Sequence, residues 1–222
     1  MAGAYLVYYF NRWSKKNIVF LISFAVGVLL ANAFFRLLPE AASLTLSWPY
    51  WVLGTIVLFY LIEHAIIIHA CPEEDCETHT AGTVSLAGIG FHSLVDGLTI
   101  GIAFEAGFAI GILASLAVIF HKLAEGGCLY TLLLCDNLPK RRALIYSWGV
   151  ALATPFGALL AYAFVGYLSS QAIGGLLAAA AGSFIYIGAS DLVPETHKKY
   201  NWLNVILLLA GVAFVMIFGQ AV

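Results

Sequence analysis

Two stretches of the sequence repeat one arrangement of residues that could do chemistry. FHSLVDGLTIG and FHKLAEGGCLY each read Phe-His-x-Leu-x-acid-Gly. His92 and Asp96 in the first stretch, and His121 and Glu125 in the second, are four residues apart, so each pair would lie on one face of a helix. Imidazole and carboxylate groups are suitable ligands for first-row divalent cations such as Zn²⁺. The repeat therefore predicts a metal site.

The two pairs are expected to lie level with each other. A short link near residues 105–107 would make their helices antiparallel neighbours. Each histidine is about 14 residues from that link, or about 20 Å at a rise of ~1.5 Å per residue. A single histidine in such a place is more often a hydrogen-bonded helix contact. The duplication of His92 and His121 at matched depth is what favours metal binding.

Lys122 follows the second histidine and would sit inside a cation site. In one interpretation its ammonium takes the place of a second metal and pairs with a carboxylate such as Asp191. A buried amine could also lose its proton and couple metal movement to H⁺. The alternative is that the side chain extends toward the membrane surface, and its central position argues against that.

The elements that carry these residues belong in lipid. Hydrophobic residues make up 62% of the 222 positions and charged residues 10%, and the mean hydropathy is +0.95. Soluble domains are about 45–50% apolar and about 25% charged. The bilayer is therefore the expected partner of most of the chain. The net charge of −2 gives no case for a nucleic-acid partner, and four cysteines are too few and too scattered for a disulfide scaffold.

Apolar runs long enough to cross a bilayer, which takes about 20 residues, indicate an all-α membrane protein. The predicted spans are 17–38, 48–70, 81–104, 107–135, 143–168, 171–193 and 202–220, and the partial run 2–10 is interpreted as a truncated first helix rather than an interfacial segment. This predicts a polytopic bundle of eight helices that forms one transmembrane domain over residues 1–222. Helices are expected to end at Pro39, Pro49, Pro139 and Pro194.

Basic residues give the bundle an orientation. The predicted topology places eight of the ten basic residues on one side: Arg12, Lys15, Lys16, Lys140, Arg141, Arg142, Lys198 and Lys199. The positive-inside rule makes that side cytoplasmic. The sequence therefore predicts an integral protein of the plasma (inner) membrane with cytoplasmic basic loops.

Further polar residues occupy the same side. The loop 71–80, CPEEDCETHT, contains His79 and four acids. It is either a solvated acidic turn or a weak metal-accepting loop, and its spacing matches no structural zinc template. Glu63 and His64, in the cytoplasmic half of their span, either line an exit path that includes His79 or make local hydrogen bonds.

Four stretches together resemble the ZIP (Zrt-, Irt-like protein) family of divalent metal transporters. FAVGVLLANAFFRLLPEA (24–41) is similar to the family's second helix. HSLVDGLTIG (92–101) and HKLAEG (121–126) resemble its fourth- and fifth-helix metal motifs. AAGSFIYIGASDLVPE (180–195) resembles its seventh-helix signature. The resemblance covers nearly the whole chain.

The resemblance implies an eight-helix fold in two bundles that rock against each other, uptake toward the cytoplasm, and a binuclear centre between helices four and five. The first metal site would be formed by His92, Asp96, His121 and Glu125, and the second by Ser93, position 122, Asp191 and the shared Glu125. Ser93 and Lys122 replace metal-binding residues of the family, which favours a mononuclear centre. Asn32 and Arg36 stand where the family often has Asp and His, so the outer entrance is expected to attract metal less.

The expected function is therefore transport of a divalent transition metal, Zn²⁺ foremost with Fe²⁺, Mn²⁺ and Cd²⁺ as alternatives, as cargo and with no cofactor. An intramembrane zinc hydrolase, with Asp96 or Glu125 as the base for a metal-bound water, is the main alternative. The near-symmetric helix pair favours transport over an enzyme. A metal-gated receptor stays open, and so does a homodimer, which is common in the family.

Overall fold

The computed structural model describes residues 1–9, 11–70, 81–135, 138–197 and 201–221. Within these ranges the chain forms eight helices and no β-strand. The helices are α1 (Ala2–Tyr9), α2 (11–44), α3 (Trp48–Ala70), α4 (Ala81–Ala106), α5 (Phe108–Cys135), α6 (Lys140–Val165), α7 (170–197) and α8 (Trp202–Ala221). The prediction of an all-α protein with eight helices is confirmed.

Several helices are suited to a bilayer by length and composition. Among the described residues, five segments are long and apolar enough to cross a membrane: Val19–Leu44, Ile89–Ala106, Phe108–Thr131, Lys140–Val165 and Ser170–Ser190. Trp48–Ile62 and Trp202–Phe218 are shorter apolar helices. Large apolar side chains such as Tyr162 and Phe156 on α6, 81% and 60% exposed, have lipid as their natural environment. The chain is an integral membrane protein.

Helices α2 and α7 each contain a π-helical segment that the sequence did not indicate. In α2 the segment is Ala33–Leu37, and in α7 it is Ile187–Leu192. Each is followed within two residues by a proline, Pro39 or Pro194, which cannot donate the backbone hydrogen bond of a regular helix. The expectation that helices end at these two prolines is wrong, because α2 continues to Leu44 and α7 to His197.

The helices associate in two groups. Helices α1, α4, α5 and α6 pack together, with the most extensive contact between α4 and α6, and α2, α3, α7 and α8 form the other group. Contacts of α2 with α5 and of α7 with α4 join the groups. The central apolar core around Leu29, Ala117 and Phe184 is shared by both groups, so the α4–α5 pair lies beside the middle of the bundle.

Glycines allow the closest helix contacts. A Cβ atom added to Gly97 would lie 1.9 Å from the carbonyl oxygen of Thr154, and one added to Gly157 would lie 2.3 Å from that of Leu94. These two glycines therefore let the backbones of α4 and α6 touch, as small residues do in membrane helix pairs. Gly27 makes the equivalent approach between α2 and α8.

Candidate metal centre

Helices α4 and α5 are antiparallel neighbours joined by a single residue. Gly107 donates its N–H to Ala103 O at 3.1 Å and accepts from Gly111 N at 2.9 Å, so both helix ends are capped across the turn. The predicted link at 105–107 is thus one glycine between Ala106 and Phe108. A link this short fixes the register of the two helices, and it brings His92 and His121 opposite each other.

The four predicted ligand residues come together between these helices. His92, Asp96, His121 and Glu125 each offer one ligand atom, and these atoms all lie within 4.8 Å of one another. Asp96 Oδ2 is 3.1 Å from Nε2 of each histidine. Glu125 Oε2 lies 3.4 Å from His92 Nε2 and 3.8 Å from His121 Nε2. The two Nε2 atoms are 3.4 Å apart.

These separations suit one small cation. Ligand atoms at about 2.0–2.2 Å from a tetrahedral zinc ion are about 3.3–3.6 Å apart along the edges of the tetrahedron. The five separations that involve a histidine nitrogen, 3.1–3.8 Å, straddle that range. The Asp96 and His121 side chains are 0% and 2% exposed, and those of His92 and Glu125 are 13% and 15% exposed. The group is therefore largely shielded from solvent.

A backbone contact orients His121 for this role. Its Nδ1 lies 3.0 Å from the carbonyl oxygen of Ala117, one turn earlier in α5. A carbonyl oxygen only accepts, so Nδ1 carries a proton, and in the neutral ring Nε2 is then the nitrogen whose lone pair would bind a metal. That lone pair faces the other ligand atoms. Metal-binding histidines are commonly fixed in this way through their second nitrogen.

The two carboxylate oxygens of Asp96 have different surroundings. Oδ2 approaches both imidazoles, whereas Oδ1 is buried and has no hydrogen-bond partner among the described residues. Burial of a charged oxygen without a partner is costly. A cation held by both oxygens of this carboxylate would satisfy the second one.

Lys122 lies at the edge of the same group. Its ammonium Nζ is 2.9 Å from Asp96 Oδ2 and 2.6 Å from each oxygen of Glu125. It also donates to Ser93 Oγ at 2.7 Å, and the Ser93 hydroxyl donates to Glu125 Oε1 at 3.3 Å. The lysine therefore faces inward, and its carboxylate partners in the structure are Asp96 and Glu125.

Among the predicted exit-path residues His64 is the one with a described side chain, and it is not part of this cluster. His64 is exposed and its ring stacks on Tyr60, with ring centroids 5.8 Å apart. Asp191 belongs to the π segment of α7, but its side chain lies outside the described part, as does that of Glu63. His79 belongs to residues 71–80, which also lie outside the described residues.

Sequence reasoning missed the aromatic contacts on the histidines. Phe59 of α3 meets the His92 ring edge-on, with centroids 6.3 Å apart, and Phe184 of α7 meets His121 in the same way at 6.2 Å. Neither phenylalanine belongs to the repeated motif. These rings come from the second helix group and close the ligand cluster on that side with apolar surface, which strengthens electrostatic interactions inside it.

Asn32 is a second feature that sequence reasoning undervalued. It is fully buried in α2, directly before the π segment, and neither its amide nitrogen nor its amide oxygen has a hydrogen-bond partner among the described residues. A buried amide without partners costs free energy. The resemblance to the family could have drawn attention to this residue, because it stands where the family often has a metal-binding Asp.

Comparison with known proteins points to one family. The family model described as ZIP Zinc transporter matches residues 68–219. Zinc transporter ZIP13 from Pongo abelii is 26% identical over 236 residues, covering 94% of this chain and 68% of that protein. Zinc transporter ZIP10 from Homo sapiens is 34% identical over 138 residues, covering 60% of this chain and 16% of that protein.

A third relative is similar to this chain over a comparably small part of its own length. Zinc transporter ZIP4 from Homo sapiens is 33% identical over 127 residues, covering 56% of this chain and 19% of that protein. The chain therefore spans about two thirds of one relative and under a fifth of the other two. All three are named as transporters and none of them as an enzyme.

Proposed function

The chain belongs to the ZIP zinc transporter family, whose model matches residues 68–219, and on that premise we propose that it carries divalent transition-metal ions, Zn²⁺ foremost, across the bilayer toward the cytoplasm. The observation that carries the proposal is the convergence of His92, Asp96, His121 and Glu125, whose ligand atoms lie within 4.8 Å of one another between two membrane helices. Ionisable side chains at that depth mark function by default.

The ligand set is suited to passage rather than storage. Two imidazoles and two carboxylates bind zinc well enough to replace its water shell, but less tightly than a cage of thiolates would. Fe²⁺, Mn²⁺ and Cd²⁺ are further candidates as cargo, since they also accept nitrogen and oxygen ligands. The ion is the substrate, and no resident cofactor is needed.

We propose that the centre holds one metal. Lys122 places a positive charge beside Glu125 and Ser93, where the resemblance to the family would put a second ion. Repulsion between the ammonium and a second divalent ion would disfavour that ion strongly in a shielded site. Asp191, matched to the same second site, would then serve the path of the ion rather than a second bound metal.

The path itself follows from the two helix groups. Residues 1–222 act as one transport domain in which movement of one group against the other exposes the centre alternately to each side. Glu63, His64 and His79 are proposed to lie along the cytoplasmic exit. The basic loops face the cytoplasm and the protein resides in the plasma (inner) membrane, as the charge distribution favours.

Uptake into proteoliposomes tests the proposal. Proteoliposomes that contain His121→Ala or Glu125→Ala should take up Zn²⁺ no faster than empty liposomes. Each change removes one of the four ligands, and Glu125→Ala also removes a negative charge that would balance the ion. His197→Ala, which alters an exposed histidine in the last turn of α7, should transport like the wild type. Full uptake by both ligand variants would refute the site.

A further inference from the structure

The carboxylate oxygens that face the two histidines are also the oxygens that bind Lys122. Asp96 Oδ2 lies 3.1 Å from both imidazoles and 2.9 Å from Lys122 Nζ. Glu125 Oε2 lies 3.4 Å from His92 Nε2 and 2.6 Å from Lys122 Nζ. An incoming ion and the ammonium would therefore share two ligand atoms.

From this shared use, and on the basis of the proposed function, we propose that Lys122 is a tethered competitor of the transported metal. Its ammonium holds Asp96 and Glu125 when no ion is present, and the arriving ion displaces it from them. The competition lowers the affinity of the site for metal. It thereby keeps the ion exchangeable, which a transport site requires.

Distance makes the two cations incompatible at full contact. A metal about 2.1 Å from Asp96 Oδ2, with an ammonium 2.9 Å from the same oxygen, would be no farther than about 5 Å from it. In a largely buried site a single and a double positive charge repel strongly at that distance. The lysine can yield, because its ammonium is carried on a flexible four-carbon chain.

Ser93 gives the displaced ammonium a place to stay. The hydroxyl accepts a hydrogen bond from Lys122 Nζ at 2.7 Å, and Ser93 is fully buried one residue after His92. Ser93 is not among the four residues whose ligand atoms cluster. The ammonium can therefore leave Asp96 for the side of Ser93 without losing every partner, which avoids an unpaired buried charge.

Charge balance explains why the site would keep such a competitor. Two carboxylates buried together without a cation would be costly in the absence of metal. The ammonium reduces their summed charge from −2 to −1. When the metal leaves, the lysine returns to the carboxylates, so the empty centre is stabilised relative to the loaded one and release becomes easier.

Zinc affinity and zinc uptake, measured together at one fixed pH, test the proposal. Lys122→Met replaces the ammonium by an apolar group of similar length. Its Kd for Zn²⁺, measured in detergent against a competing chelator, should fall at least tenfold, and its maximal uptake rate in proteoliposomes should fall as well. Lys122→Arg keeps the charge and should stay closer to wild type. Lys140→Met, at an exposed lysine in the first turn of α6, should equal wild type.

An unchanged or higher Kd in Lys122→Met would overturn the proposal, since it would mean that the lysine only orders the carboxylates. If that variant does not fold, a zinc-bound structure of the wild type decides. The Nζ to Asp96 Oδ2 distance should then exceed about 4 Å, and a distance still within hydrogen-bond range would contradict displacement. Wild-type protein that transports no metal would instead refute the proposed function, independently of Lys122.

Discussion

Asp96 on α4 and Lys122 on α5 meet across the helix pair, with Oδ2 2.9 Å from Nζ. The aspartate is fully buried, while the lysine side chain is 17% exposed. One carboxylate oxygen is thus approached by two imidazoles and by an ammonium. The number of ions that the centre binds and their affinity should therefore change when one of these residues is substituted.

The first prediction concerns how many ions the centre holds. Wild-type crystals soaked in Zn²⁺ should give one anomalous peak between α4 and α5, because the ammonium of Lys122 excludes a neighbouring ion. Lys122→Asp should give two peaks, since it supplies a carboxylate beside Ser93 and Glu125. Diffraction data collected at the zinc absorption edge locate each ion, so the ions between α4 and α5 can be counted directly. Two peaks in the wild type would overturn the mononuclear assignment.

The second prediction concerns acidity. Protons and metal compete for the same imidazole nitrogens and carboxylate oxygens, so metal binding releases protons and weakens in acid. We expect the Kd for Zn²⁺ to be higher at about pH 5.5 than at about pH 7.5, by titration corrected for the chelator's own protonation. A Kd that stays constant from acid to neutral pH would contradict a site built from groups for which protons and metal compete.

The third prediction concerns the contact of α4 with α6. Gly157→Ala should destabilise the protein by about 1–3 kcal/mol, because the added methyl group would lie 2.3 Å from Leu94 O and push the helices apart. Gly149→Ala is the matched control in the same helix, where nothing lies within 4 Å, and alanine there is neutral or stabilising. Thermal unfolding in detergent compares them. Equal melting temperatures would contradict the tight contact.

The fourth prediction concerns sidedness. In a cysteine-free background, Arg141→Cys in the first turn of α6 should react with a membrane-impermeant maleimide only after the cells are permeabilised. Ser47→Cys, in the turn between α2 and α3, should react in intact cells. Both positions are exposed, so access to the reagent depends on the side of the membrane. The reverse labelling pattern would place the basic loops outside.

Helix positions were predictable from the sequence because burial in lipid requires long apolar runs, and these were unmistakable. That His92 and His121 lie opposite each other was also predictable. A short link joins their helices, and each histidine is the same number of residues from it, so the rise per residue places both at the same depth in the membrane. The π segments were not, because π and α backbones differ by one hydrogen-bond step that depends on local packing. Pro39 and Pro194 were a hint, since each removes a donor, but they were interpreted as helix ends.

The carboxylate partners of Lys122 were not predicted in full, although a signal was present. Lys122 and Glu125 are three residues apart on one helix, which is a spacing at which side chains meet. The sequence interpretation instead looked to Asp191, which is distant in the chain. Which carboxylate a long flexible side chain reaches depends on its rotamer, and rotamers follow from packing that spacing alone does not give.

The bond from His121 Nδ1 to Ala117 O has a consequence for how the centre could open. Because donor and acceptor belong to one helix, that imidazole is preoriented and would keep its aim during any rigid shift of α5. His92 Nδ1 has no hydrogen-bond partner among the described residues, and the His92 ring contacts Phe59 of α3, a helix of the other group. The two imidazoles therefore differ in how firmly they are held. His92 is the ligand whose ring can rotate without breaking a hydrogen bond to its own backbone.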